Sequence, residues 1–343
     1  MNDPNASSWS SPLSSKEKAE PDVVSPIVVL GGGAAGLALL RELDDVGLAG
    51  AATLIEPSPD HYDQPNWMRV GTEGADKEGT RSARHLQLPS DTAWIQSRAT
   101  TIDPEAHVVV TEEGPTVQYE YLVVALGVET LWDRIRGLTS SLGSNGVCSV
   151  YGYEQAERTW EMIRTFTGGR ALFTAPSTPH KGGDAPFQIL RRAASLWQET
   201  GVRTETDLFF TTAADKADVT GADDIRVYTG HDLVEVRPDA REAVFVHQKG
   251  RSQSQNVLSY DLLHVVPPMR PPALLEKSNL AYRDGTWKGY LEVHPESFRH
   301  KRFDSVFGIG DAVGIEGVKT GERARMQAAA VAQTLRRLIE QTA

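Results

Sequence analysis

The stretch SPIVVLGGGAAGLALLREL, residues 25–43, restricts the fold more than any other part of this chain. A short apolar run, Ile27 to Leu30, reads as a buried strand. It runs straight into glycines and then into an amphipathic helical pattern. Gly31, Gly33 and Gly36 stand at the three positions of Gly-x-Gly-x-x-Gly. The first permits a tight turn. The second lets backbone approach a diphosphate, and the third lets the helix pack on the strand. The backbone amides at the helix N-terminus then face an anion. A second strand, Ala52 to Ile55, ends in Glu56, 20 residues beyond Gly36, where a carboxylate accepts from a ribose diol. This is the opening of a doubly wound α/β domain that holds a dinucleotide.

Two later stretches say which dinucleotide. In YEYLVVALGV, a buried strand from Tyr121 to Ala125 ends in Leu126-Gly127, a close-approach turn. In VFGIGDAVG, Asp311 follows a strand-end glycine, Gly310, where it accepts from the hydroxyls of a ribityl chain. A helix follows, and its positive end favours the anionic reduced ring. A nicotinamide-only domain has no use for that last element, so the order of the three stretches points to FAD. After the second, residues 129–165 form a connection with a helix at YEQAERTWEMIRTF. A second βα start follows, RALFTAP and then FQILRRAASLWQETG. Strands are expected at DLFFTT, IRVYTG, LVEVRP, EAVFVHQ and DLLHVVPP. Residues 60–90 read as polar and irregular, and residues 1–24, rich in Ser, Pro and charge, as a disordered tail.

Composition bounds the partners. The 343 residues suit two domains, and 35 Lys and Arg against 46 Asp and Glu give a net charge of −11. That balance argues against nucleic acid and anionic membranes. No apolar run reaches the ~18 residues of a membrane span. The single cysteine, Cys148, excludes an intramolecular disulfide and fits a reducing, cytoplasmic setting.

The residues resemble those of the sulfide:quinone oxidoreductases. The likeness lies in IEPSPDHYDQPNWMRVGTEG, YEYLVVALGV, PSTPHKGGDAPFQIL, EVRPDAREAVF, LHVVPPMRPP, FGIGD and Lys319-Thr320, and runs over about residues 26–340. It implies an α/β chain of two Rossmann-like FAD/NAD(P)-binding domains in the disulfide-reductase arrangement, the second one reduced. The first would be 25–135 with 300–343, and the second 136–299. It implies that Gly31, Gly33, Ala34, Ala35, Gly36, Glu56, Ala99, Ala125, Gly127, Gly310 and Asp311 bind FAD. Gln64, Pro65, Pro268, Lys319 and Thr320 would line the ring or quinone side.

The departures from that family bear on function. Its chemistry uses two cysteines flanking the flavin, and the matching positions here are Gly182 and Ala312. Cys148 alone cannot form a sulfur bridge, and reads either as a flavin-attached or sulfur-transferring thiol or as a small buried hydrophobe. His180 and Lys181 read as proton-transfer groups or as solvated loop residues. Lys319, Cys148 and Lys181 are the candidate catalytic side chains. Family members continue beyond the closing helix into a membrane-docking segment, which is not expected here. A long helix between DLFFTTAADKADV and IRVYTG is not expected either, and APSTPHKGGDAP is not Gly-x-Gly-x-x-Gly, so a nicotinamide site is unsupported. No metal site is read. The expectation is an FAD oxidoreductase in which electrons or hydride pass directly between a small-molecule substrate and flavin. A flavin-binding protein without catalysis and residual sulfide oxidation are the alternatives, and a homodimer is left open.

Overall fold

A computed structural model describes residues 21–217, 224–249 and 252–342. The expected tail lies mostly outside these. The first strand begins earlier than its apolar run, at Val23, because Val23 and Val24 already pair with Val117 and Gln118.

Seven strands form the first sheet. Ala93–Ile95, Ala52–Ile55, Val23–Leu30 and Thr116–Val124 lie side by side and parallel. The far edge of Thr116–Val124 is shared. Its first half pairs antiparallel with Val108–Thr111, which pairs with Ala99–Asp103. Its second half pairs parallel with Val306–Gly308. Strands covered on both faces carry continuous apolar runs, and successive side chains go to opposite sides. Ile27 and Val29 therefore pack under the helices Ala34–Asp45 and Gly321–Thr342, with Leu39, Leu43, Val331 and Leu335. Val28 and Leu30 pack into the opposite layer with Val109, Leu122 and Val306.

The second sheet is also parallel, in the order Val147–Cys148, Leu262–His264, Gly169–Ala175, Thr206–Thr212, Arg226–Tyr228. The helix Ala185–Glu199 lies on one face. It buries Ile189, Leu190, Ala193 and Trp197 against Ala171 and Phe173. Trp197, 1 % exposed, satisfies its indole by donating to the Ile163 carbonyl at 2.8 Å. An antiparallel ribbon, His231–Arg237, Glu242–Lys249 and Ser252–Ser259, covers the other face.

One expected boundary of the second domain needs revision, and one of its strands carries no signal in the sequence. Residues 274–299 do not stay with it. Leu275, Leu280, Ala281, Leu291 and Val293 join the first domain's core, so the chain crosses back at the proline-rich VVPPMRPP segment. The strand Ser252–Ser259 was not foreseen, because SQSQNVLS is polar and lies at the ribbon's edge. The segment where a long helix was not expected falls partly on residues 218–223, outside the described residues.

Candidate functional site

The three glycine-rich strand ends meet at the C-terminal edge of the first sheet, where ligands bind in open α/β sheets. The Ala125 amide donates to the Leu30 carbonyl at 2.8 Å, and the Ile309 amide to the Val124 carbonyl at 3.0 Å. Each glycine of the first turn has a separate reason. Gly31 has φ +98°, and a Cβ there would come within 2.6 Å of the Ala125 carbonyl oxygen. A Cβ on Gly36 would strike the Gly31 carbonyl oxygen. Gly33 is exposed and nothing lies within 4 Å of where its Cβ would be. So the first and third glycines close the turn, while the second opens it to a ligand. Ala34 is exposed beside Gly33, and Ala35 lies against Gly310, whose φ is +75°. Gly127, at φ +64°, also borders open space. This geometry fits a dinucleotide, with the diphosphate over the amides that open the helix at Ala34.

Glu56 sits at the end of its strand with both carboxylate oxygens engaged. Oε2 accepts from the Gly32 amide at 2.8 Å and Oε1 from the Ser58 amide at 2.9 Å. Its lone pairs outnumber these two bonds, so it can still accept from a ribose. Ala99 lies on the antiparallel hairpin, half-buried against the first core.

At the other end, the tight turn Gly310–Ala312 is pinned by Gln327, whose side-chain oxygen accepts from the Gly310 amide at 2.7 Å. Burial raises the Asp311 carboxyl above its ordinary range, against the opposing pull of Lys319 and then Lys181. Lys319 is 7 % exposed. Its Nζ donates to the carbonyls of Asp311 at 2.8 Å and Val313 at 3.0 Å. It also stands 4.8 Å from the Tyr290 ring centroid and 5.2 Å from that of Trp287. Burial is the main reason its ammonium falls to about 8, with Asp311 pulling the other way. Thr320 caps the closing helix, its hydroxyl accepting from the Arg323 amide at 3.3 Å.

The second domain's first loop reaches across to this end. The Gly182 amide donates to the Lys319 carbonyl at 2.8 Å, and the Lys181 Nζ donates to the Gln64 side-chain oxygen. The Lys181 Nζ also lies 5.8 Å from the Trp67 ring centroid, and burial lowers its pKa. Gly182 has φ +94°, and a Cβ there would meet Ala185 Cβ at 3.0 Å and the Tyr151 hydroxyl at 3.6 Å. Ala312 is fully buried. Gln64 and Pro65 lie exposed in one turn, Gln64–Asn66, and Pro268 accepts from the Leu131 amide at 2.8 Å. Of the residues expected to line the ring side, Gln64 and Lys319 are joined through this loop, Gln64 by the Lys181 ammonium and Lys319 by the Gly182 amide, and Lys319 in turn holds the Asp311 carbonyl.

Cys148 is elsewhere. It lies in the second sheet, 1 % exposed, among Val150, Tyr151, Ile163 and Ala171. Burial pushes its thiol up to about 12, against a hydrogen bond with Thr159. A neutral, sealed thiol is a poor nucleophile, so the geometry favours the small buried hydrophobe over the reactive thiol. His180 is half-buried, its Nδ1 3.4 Å from the Thr178 carbonyl, and burial lowers its pKa. Arg84, Gln327, Tyr151, Trp287 and Tyr290 belong to the surroundings of the site and were not foreseen. They come from distant segments, and no local spacing marks them.

Residues 25–172 match the family model for pyridine nucleotide-disulphide oxidoreductases. The mitochondrial sulfide:quinone oxidoreductase of Dictyostelium discoideum is 33 % identical over 328 residues, covering 92 % of this chain and 71 % of that protein. Its counterpart in Mus musculus is 34 % identical over 324 residues, covering 90 % and 70 %. The crystal structure of the sulfide:quinone oxidoreductase from Aquifex aeolicus superposes with a TM-score of 0.75 at 19 % identity, over 92 % of this chain and 77 % of that one.

Proposed function

From the premise that this chain belongs to the sulfide:quinone oxidoreductase family and is an FAD-dependent oxidoreductase, we propose that its flavin exchanges electrons directly with a small-molecule donor, without a protein thiol relay. One observation carries this reading. The positions matching the family's redox cysteines hold Gly182 and Ala312, and the chain's one cysteine is sealed in a core. A sulfur bridge needs two thiols, and nothing at this site supplies either.

FAD, when bound, supplies the two-electron chemistry. The chain's residues do the rest. The amides after Gly33 would hold the diphosphate, Glu56 would accept from a ribose, and Asp311 would accept from the ribityl hydroxyls. Lys319 carries a proton that it can release near neutral pH, since its ammonium titrates at about 8. Trp287 and Tyr290 shield that ammonium from water. Lys181 sits on the loop that bears Gly182, where it can orient an incoming donor. Gly182, exposed and without a side chain, leaves room for a donor larger than sulfide. The relatives named as sulfide:quinone oxidoreductases make a quinone the first acceptor to try. Among the described residues no helix is long and apolar enough to cross a membrane.

The test is an anaerobic titration of the FAD-loaded protein with sulfide, following the oxidised flavin absorbance. An unchanged band, together with bleaching by an organic hydride donor, is the expected result. Stoichiometric bleaching by sulfide would refute an organic donor and make sulfide itself the reductant, and a flavin that no donor bleaches would refute the reading altogether.

A further inference from the structure

Arg84 lies 3 % exposed at the adenosine end of the cradle. Its nearest carboxylate oxygen, Glu56 Oε1, is 3.9 Å from Nη2. Its hydrogen bonds go to main chain instead. Nε donates to the Ser58 carbonyl at 2.7 Å, Nη2 to the Asp60 carbonyl at 2.5 Å, and Nη1 to the Gly32 carbonyl. Ser58 and Asp60 lie on the segment that follows Glu56. Gly32 lies inside the glycine turn. A single planar cation therefore joins the two pieces of backbone that a dinucleotide would touch.

The same contact explains Gly32, which the Gly-x-Gly-x-x-Gly pattern leaves free. Gly32 is not in the left-handed region, so conformation does not demand glycine. Space does. A Cβ at 32 would land on Nη1 of Arg84, 2.9 Å from Cζ, and 3.0 Å from Glu56 Cγ. Both main-chain groups of Gly32 are already committed. Its amide donates to Glu56 and its carbonyl accepts from Arg84.

We propose that Arg84 is a positioning residue for the adenosine-diphosphate half of the cofactor, clamping the Gly32 carbonyl to the Ser58–Asp60 segment so that the turn and the Glu56 carboxylate are set before the cofactor arrives. This rests on the reading that the cradle takes FAD. The clamp acts through Gly32 and Glu56 and leaves the ring end alone. A buried guanidinium that merely braced the fold would change stability without selecting that half of the ligand.

The test uses the full chain stripped of flavin, with ADP and FAD as separate probes, followed by calorimetry and flavin fluorescence. Arg84→Ala should weaken both at least about tenfold, the scale for a lost charged hydrogen-bond set. The absorption spectrum and midpoint potential of FAD bound at saturation should not move. Gly32→Ala should weaken ADP about tenfold in the wild-type background and clearly less, by about threefold at most, in the Arg84→Ala background, because the guanidinium atoms it strikes are gone and only the Glu56 Cγ contact at 3.0 Å remains. If Arg84→Ala does not fold, Arg84→Lys carries the same comparison, with a smaller loss and the same non-additivity. ADP affinity within about twofold of wild type in the Arg84 variant, or an equal cost of Gly32→Ala in both backgrounds, overturns the proposal. A wild-type chain that takes up neither ADP nor FAD removes the cofactor reading itself, and the proposal with it.

Discussion

Replacing Lys319 with Met removes a buried cation while keeping much of its stem. In the flavin-free chain the native ammonium titrates at about 8, against an ordinary value of 10.5. Between those values the unfolded chain still holds a proton that the native chain has shed. Stability therefore rises with pH across this window. At about 1.36 kcal/mol per pH unit, the full rise is about 3 kcal/mol, and about 2 kcal/mol of it is in place by roughly pH 9.5. Below pH 8 the charge is buried at a cost, partly offset by the Asp311 and Val313 carbonyls and the two aromatic rings. Lys319→Met abolishes the rise. At neutral pH it leaves the chain more stable by about 1–2 kcal/mol, once the two lost hydrogen bonds are set against the relieved burial. The assay is urea unfolding of both chains at several values between about pH 7 and 9.5, taking the difference at each pH so that other titrating groups cancel. Parallel stability profiles would refute the assignment, since they would show that Lys319 titrates alike in the folded and unfolded chains.

Gly36→Ala drives a methyl into the Gly31 carbonyl oxygen, so we expect a loss of about 2–4 kcal/mol in thermal unfolding together with lost FAD retention. Cys148→Ala should leave flavin binding and turnover unchanged and cost about 1 kcal/mol of stability, because the thiol only fills core space; any change in flavin release by acid would contradict this. Gly182→Cys should cost about 1–2 kcal/mol in chemical unfolding, since φ +94° strains any L side chain. The same variant alone should not confer sulfide bleaching, which can be read in the flavin absorbance.

The sequence disclosed the parts of the site that are local. Gly31, Gly33 and Gly36 could be read because a strand, a turn and a helix succeed each other within a few residues, and the structure gives each glycine the geometry its position implies. The helices at 153–164 and 185–199 were legible from their periodicity. The helix Trp67–Glu73 was not, being only 7 residues long and ended by Gly74 in the left-handed region. Short elements carry too little pattern to rise above their neighbours. Arg84 is the sharpest omission. Its neighbours in sequence mark nothing, and its meaning lies in three carbonyls it reaches from 24 to 52 residues away.

The ring end was hidden for a different reason. Its residues are each legible in the sequence, but their relation depends on how two domains meet. Lys181 and Lys319 come from separate domains and are neighbours only because the second domain's loop lays its Gly182 amide on the Lys319 carbonyl. That contact also bears on whether position 182 can carry a nucleophile. A side chain at 182 would need a backbone that L residues resist, with Ala185 Cβ already at 3.0 Å. A side chain at 182 and the present loop conformation are therefore hard to combine. Placing a thiol at 182 would mean rebuilding the 180–183 turn where it rests on Lys319, and the same movement would loosen the seal around that lysine, whose ammonium burial lowers to about 8. Thiol chemistry at 182 and the present setting of Lys319 are thus competing uses of one loop.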